Sequence, residues 1–208
     1  MRSTTHLNGG VMLGIVGANM NINNALPIIS QIPVSPMHYG ALIAGCAVGS
    51  IVLDVDTPYS PIGKILKFVA FPLYLINWIF NKLKLRKLSQ ITGHRGIIHS
   101  LITWILLFIP YLLFLNVADI TNEINQITIF FVLGLFIGAL SHLFLDSMTK
   151  MGVPLFMPLS FKYFKLFKKY GVRTGSWKET IISLALFIGN IFLILNYSNI
   201  DIFDYIKI

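Results

Sequence analysis

Three long apolar runs dominate the chain, at residues 100–117, 127–145 and 180–197. Each approaches the roughly 20 residues that an α-helix needs to cross a bilayer. Two shorter apolar runs precede them, at 7–20 and 39–53. Their length suits either a tilted crossing or a short helix packed against its neighbours. Glycines recur four apart along these runs: Gly10 and Gly14, Gly45 and Gly49, Gly134 and Gly138. Small residues at that spacing let helix backbones approach closely in lipid. For any one pair, a glycine merely tolerated in a membrane helix is an equal reading.

A sixth apolar stretch, FVAFPLYLINWIF at 68–80, differs. Lys64 and Lys67 precede it, Lys82, Lys84, Arg86 and Lys87 follow it, and Pro72 interrupts it. Basic flanks at both ends and aromatics along the body fit a helix that lies in the membrane interface or re-enters it; a sixth crossing is the rival. The pattern therefore predicts an all-α fold, a multi-pass transmembrane helical bundle. It would have about five spanning helices plus one interfacial or re-entrant helix, in a single domain over residues 1–208.

Composition agrees with that picture. The chain is 55% hydrophobic and 12% charged, where a soluble domain is about a quarter charged. The net charge of +8 raises nucleic acid as a partner. In a membrane protein, however, excess lysine and arginine reports orientation, so the bilayer is the expected partner and nucleic acid is not. If the five runs cross once each, the side holding Met1 receives Arg2, residues 54–99 and residues 146–179. With them come all the lysines and arginines except Lys207. The other side receives the uncharged segment around 21–36, the loop with Asp119 and Glu123, and the tail with Asp201 and Asp204. That asymmetry makes the first side cytoplasmic and places the chain in an inner or plasma membrane. A cleaved signal peptide is the rival reading of residues 1–20, though their apolar core is short and broken by glycine. The single cysteine, Cys46, cannot form an internal disulfide and reads as a small buried hydrophobe.

Topology gathers the unusual polar residues at one end of the bundle. His6 opens the first run, and Asp54 and Asp56 close the second. His94, Arg95 and His99 open the third, and His142 and Asp146 close the fourth. The three aspartates lie at or just past helix C-termini, where the macrodipole disfavours negative charge, so each needs a cation nearby. His99 lies near a helix N-terminus, which favours the neutral imidazole that ligates metal. His142 and Asp146, four apart, share one helix face. Mixed histidine and carboxylate donors are typical of catalytic zinc and related divalent ions. The expected ligands are His6, Asp56, His99, His142 and Asp146, with zinc first and manganese second. Asp54, His94 and Arg95 are the catalytic candidates, Asp54 or Asp56 accepting a proton and Arg95 holding a phosphate.

Plainer readings stand beside these. A His–Asp or Arg–Asp pair would also satisfy Asp146. Asp56 could cap the turn VDTPYS, with Thr57 as a helix cap before Pro58. Arg95 could simply pair with Asp54. His38 falls on the opposite side and reads as an interfacial residue. SWKE at 176–179 reads as a capping box opening the last helix, a structural role for Glu179.

These residues also carry a family resemblance. THLNGG at 5–10, LDVDTPYSPIGK at 53–64, GHRGIIHS at 93–100, GALSHLFLDSMTKMGVPLFMP at 138–158 and RTGSW at 173–177 resemble the YdjM-like membrane-bound metal-dependent hydrolases of bacteria, in that family's order. The family pattern PDIDHP has Leu53 here in place of its proline and Thr57 in place of its histidine. More distantly the pattern is similar to zinc-dependent phospholipases C and related zinc nucleases, all-helical enzymes with an HxxxD pair. The resemblance implies a metal-dependent hydrolase, and its distant part implies phosphoester hydrolysis; the interfacial stretch at 68–80 would let a lipid headgroup reach the site from the bilayer. Two rival functions remain. A proton or divalent-metal transporter would carry ionisable groups near the bilayer midplane, and the long runs have none there. A non-catalytic protein with a metal that only staples helices has the same ligand list as an enzyme.

Overall fold

The computed structural model describes residues 1–20, 29–32 and 34–197. Its helices are α1 (Ser3–Asn19), α2 (Pro36–Val52), α3 (Pro61–Ile65), α4 (Lys67–Lys82), α5 (Arg86–Thr92), α6 (Leu101–Val117), α7 (Glu123–Ser147) and α8 (Trp177–Tyr197). No strand occurs among the described residues. Two isolated bridges, Thr149 with Val172 and Val153 with Phe164, tie down the long connection from α7 to α8. The segment at 21–28 and the tail with Asp201, Asp204 and Lys207 lie outside the described residues.

The bundle is centred on α2 and α7, which form its most extensive helix pair, and α1 packs against both. Glycine makes this possible. A Cβ on Gly45 would lie 2.1 Å from the Phe131 carbonyl oxygen, and one on Gly138 would lie 2.1 Å from that of Cys46. At these points the two backbones touch, the close approach expected of small residues four apart. Cys46 is buried in this seam. Outward faces of α6 and α8 stay apolar and exposed, with Leu106, Leu113, Phe187 and Phe192 among them, as for helices bordered by lipid.

Three helical segments are long and apolar enough to cross a membrane: Pro36–Asp56, Glu123–Ser147 and Trp177–Asn196. The five expected crossings all form helices, but α1 and α6 have only 17 residues each. At 1.5 Å per residue that is about 25 Å, short of a hydrocarbon core of about 30 Å. α1 is also diluted by His6, Asn8 and four glycines. The structure thus supports three crossings by length and apolarity where the sequence pattern suggested about five.

The stretch at 68–80 forms α4, which pairs with α5 as a helical hairpin. Phe68, Phe71 and Trp78 project from it fully or half exposed. The Tyr74 hydroxyl donates to the Val55 carbonyl at 2.5 Å and so pins α4 to the end of α2. His38 departs from expectation. It is buried rather than interfacial, because its Nδ1 accepts the Ser35 N–H at 3.0 Å and closes the N-terminus of α2. Its ring then packs on Phe130, centroids 5.1 Å apart.

The two ends of the bundle differ in character. One holds an apolar core of Ile29, Leu42, Tyr111, Ile129 and Phe130. The other holds nearly all the buried polar side chains.

Candidate metal centre

Four pieces of chain meet at the polar end: the first turn of α1, the 3-10 turn Leu53–Asp56 after α2, the loop from Gly93 to Ser100, and the last turns of α7. The Gly93–Ser100 loop turns sharply. A Cβ at Gly96 would lie 2.2 Å from the Ile91 carbonyl oxygen, and Arg95 has φ 56°, a conformation uncommon without glycine. Arg95 is held there at both ends. Its backbone N–H donates to Asp56 Oδ2 at 3.0 Å. Its guanidinium pairs with Asp146 Oδ2 at 2.7 Å and donates to Thr149 Oγ1 and the Gly152 carbonyl, each at 3.0 Å.

His142 stands at the middle of the cluster. Its Nδ1 donates to the Ser50 carbonyl at 2.6 Å. That bond fixes the tautomer and leaves Nε2 with a free lone pair, the arrangement usual for a metal-binding imidazole, whose other nitrogen donates to a carbonyl or carboxylate. Nε2 lies 3.2 Å from His99 Nε2, 3.8 Å from Asp54 Oδ1 and 3.8 Å from Asp146 Oδ2. His6 stacks on the His142 ring, and its Nε2 lies 3.3 Å from Asp146 Oδ1 without hydrogen-bond geometry; neither His6 nitrogen has a partner. Donors bound to one tetrahedral ion at about 2.0–2.2 Å are about 3.3–3.6 Å apart. These separations scatter around that value.

Two sets of donors lie mutually within 4.8 Å: His6, Asp54 and His142, and His99, His142 and Asp146. Both need His142 Nε2, which has one lone pair, so they describe alternative or joint ligation of one ion. The charge balance points the same way. Asp54, Asp56 and Asp146 are buried, and Arg95 is the buried side-chain cation among the described residues; the Met1 amino group also contacts Asp146. Three carboxylates against one guanidinium and one ammonium leave a deficit of one positive charge. Nitrogen and oxygen donors in that excess fit a divalent ion of the zinc or manganese type.

Placement differs from expectation at several positions. Asp54, expected as a proton acceptor, is within ligand reach and accepts the Ser3 hydroxyl at 3.0 Å. Asp56, expected as a ligand, belongs to neither donor set. It sits behind His99, 3.1 Å from Nδ1, and 3.1 Å from His94 Nδ1. Arg95 pairs with Asp146 rather than Asp54, and its buried guanidinium is turned inward, which leaves it badly placed to meet an external phosphate. His94 is 45% exposed and forms the rim. Thr57, at the position of the family histidine, touches that ring through a 2.7 Å contact with Nδ1.

Glu179 also departs from its expected role. It is fully buried and accepts the Arg2 N–H and, at 2.5 Å, the Gly175 N–H. The reciprocal bonds of a capping box at Ser176 are not formed, and the Ser176 hydroxyl is without a partner. Glu179 instead ties α8 to the start of α1. Ser3, Ser50, Thr149 and Tyr163 carried no signal in the sequence, since each acts through backbone or hydroxyl bonds that no motif marks. Burial pushes the Tyr163 hydroxyl above its ordinary value, so it stays protonated and donates to the Arg95 carbonyl at 3.4 Å.

A pocket of about 360 Å³ opens beside this cluster, bordered by Asp56, His94 and, from the hairpin, Tyr74, Asn77 and Trp78. Asp56 and His94 are its points of contact with the cluster; none of the five donors lines it.

Comparison with known proteins adds a family. Residues 1–201 match the YdjM inner membrane protein family, and the chain belongs to it. It is 28% identical over 143 residues to the inner membrane protein YdjM of Escherichia coli K12, and equally to that of Shigella flexneri. The match covers 67% of this chain and about 60% of the length of those relatives. No solved structure matches the chain.

Proposed function

We propose, with membership of an inner membrane protein family as the premise, that the chain is a metal-dependent hydrolase acting on a phosphoester at the cytoplasmic face of the membrane. The observation that carries this reading is the convergence of His6, Asp54, His99, His142 and Asp146 around His142 Nε2, in a cluster short of positive charge. The phosphoester choice rests on the HxxxD pair and its likeness to zinc-dependent phospholipases C. The cytoplasmic assignment rests on the lysines and arginines at 64–95 and 150–178, which belong to the same end of the bundle.

A bound divalent cation, zinc first and manganese second, would supply the charge that acidifies water and polarises a phosphoryl oxygen. The chain's own residues do the rest. Ser50 orients His142, and Arg95 orients Asp146 while neutralising part of its charge. The Asp56–His94 pair stands at the pocket rim, where a carboxylate-backed imidazole can take a proton from water and return it to a leaving group. His94, not Arg95, is the side chain placed to meet substrate.

One observation favours a second reading, a structural metal. The donor histidines are fully buried, as in closed structural sites, and an ion there would staple α1, α2, α7 and the 93–100 loop. The rim pocket favours catalysis over this. The deciding experiment is metal analysis of the purified native protein, together with release of phosphate or headgroup from soluble phosphoesters and phospholipids. Metal with activity that His94→Ala abolishes is expected. Metal without activity across that range would leave the staple.

A further inference from the structure

The approach to the rim pocket has a chemistry of its own. A second, open pocket of about 460 Å³ lies on the outer side of α4. It is lined by Pro58, Lys64, Lys67, Phe68, Phe71 and Tyr74. Pro58 and Tyr74 also line the inner pocket that reaches Asp56 and His94, so the two adjoin along one side of α4 as halves of a groove with Tyr74 between them. Tyr74 is fixed there by its bond to the Val55 carbonyl, one residue from Asp56.

Polarity changes along this groove. Its outer half offers two ammonium groups beside two exposed phenyl rings. Its inner half offers the Asn77 amide, the Trp78 indole and then the imidazole of His94. Between Asp56 and His94 the chain carries Lys64, Lys67, Lys82, Lys84, Arg86 and Lys87 and no aspartate or glutamate. A surface that is cationic and aromatic at once suits a ligand that is anionic and apolar at once. A soluble phosphoester would use the lysines and leave the phenyl rings in water. Lysines near a bilayer surface attract anionic lipid, each contributing at an order of magnitude of several-fold, and aromatic side chains favour the headgroup level.

We infer that this groove is the binding site of a single anionic phospholipid, whose phosphate lies between Lys64 and Lys67 and whose headgroup end passes Tyr74 toward His94. The lipid's apolar part rests on Phe68 and Phe71, still continuous with the bilayer. This narrows the substrate class of the proposed hydrolase to a lipid phosphoester taken sideways from the membrane. It rests on that reading for its consequence, while binding in the groove needs no metal and no turnover.

Trp78 provides the probe. The chain has tryptophan only at 78, 104 and 177, so Trp104→Phe/Trp177→Phe protein fluoresces from Trp78 alone. That protein, full length in phosphatidylcholine nanodiscs, is given a minor share of brominated phosphatidylglycerol or brominated phosphatidylcholine. The expected result is quenching at roughly tenfold lower mole fraction of the anionic lipid, with the preference lost in Lys64→Gln/Lys67→Gln protein of unchanged circular dichroism. Equal quenching by the two lipids overturns the inference. So does a preference that survives the double substitution, which would place the anionic lipid elsewhere. Glycerol 3-phosphate that abolishes the preference at comparable concentration would make the ligand a soluble phosphoester instead. Repeating the titration with chelator separates the two proposals: a preference kept in metal-free, inactive protein supports the groove whatever becomes of the hydrolase.

Discussion

His6 and His142 lie face to face, ring centroids 3.6 Å apart and planes 9° from parallel. Two imidazolium rings at that distance would repel strongly in a buried site, so at most one of the two rings can be charged. Neutral rings with unpartnered nitrogens beside carboxylates are the state that metal binding requires. We expect His142→Ala and His6→Ala proteins to lose bound zinc or manganese, His142 completely and His6 by weakened affinity. Elemental analysis of protein purified without chelator checks this. Full metal content in His142→Ala protein would remove both donor sets at once.

The Arg95–Asp146 pair makes a different prediction. Breaking a buried ion pair from one side leaves an unpaired charge, at a cost of about 3–5 kcal/mol. Arg95→Ala should therefore lower thermal stability sharply, where a residue used only for substrate would leave it alone. Arg95→Ala/Asp146→Asn should recover part of the loss. Differential scanning fluorimetry in detergent reads both. A double variant no more stable than the single one would show that the guanidinium acts through Thr149 and Gly152 instead.

Glu179 bonds two backbone N–H groups, that of Gly175 just before α8 and that of Arg2, which joins α8 to the start of α1. Charge-assisted bonds of this kind are worth about 1.5–3 kcal/mol each, more than the roughly 1 kcal/mol of a helix cap. Glu179→Ala should destabilise by about 2–4 kcal/mol on that basis while leaving metal content intact. A loss of under about 1 kcal/mol in equilibrium unfolding would restore the cap as its whole role.

Topology is testable by cysteine labelling in intact cells, in Cys46→Ser protein. Cysteine placed at Lys165 should resist an impermeant reagent until the membrane is opened, and cysteine at Asn122 should react at once. The reverse pattern would move the polar end of the bundle to the outside.

Helix-end charge singles out most of the residues that lie within ligand reach of one another, because a carboxylate at a helix C-terminus calls for a cation nearby. It could not separate Asp54 from Asp56. They are two residues apart in a 3-10 turn, and only the turn's geometry decides which carboxylate faces His142. The plainer reading of Asp146, an Arg–Asp pair, is the contact Arg95 makes; the Thr149 hydroxyl and Gly152 carbonyl that also hold the guanidinium lie on a connection with no periodic pattern. The five apolar runs all became helices, yet a hydropathy pattern does not fix where a helix stops. Three of these helical segments are long and apolar enough to cross, and the two 17-residue helices lie at the short end of the spanning range.

The seam between α2 and α7 bears on which ion the cluster could accept. At Gly45 and Gly138 it is backbone against backbone, so no side chain can change rotamer to let the helices slide. Asp54 hangs from the end of one helix, while His142 and Asp146 sit on the other, and their spacing is set by that seam as by a caliper. Calcium, with bonds of about 2.3–2.6 Å and six to eight ligands, would need those donors spread. With an ion bound, the seam would discriminate by size through Gly138, about one helical turn from His142, and widening it with Gly138→Ala should relax selectivity toward larger cations before it abolishes binding, as competitive metal titration would read.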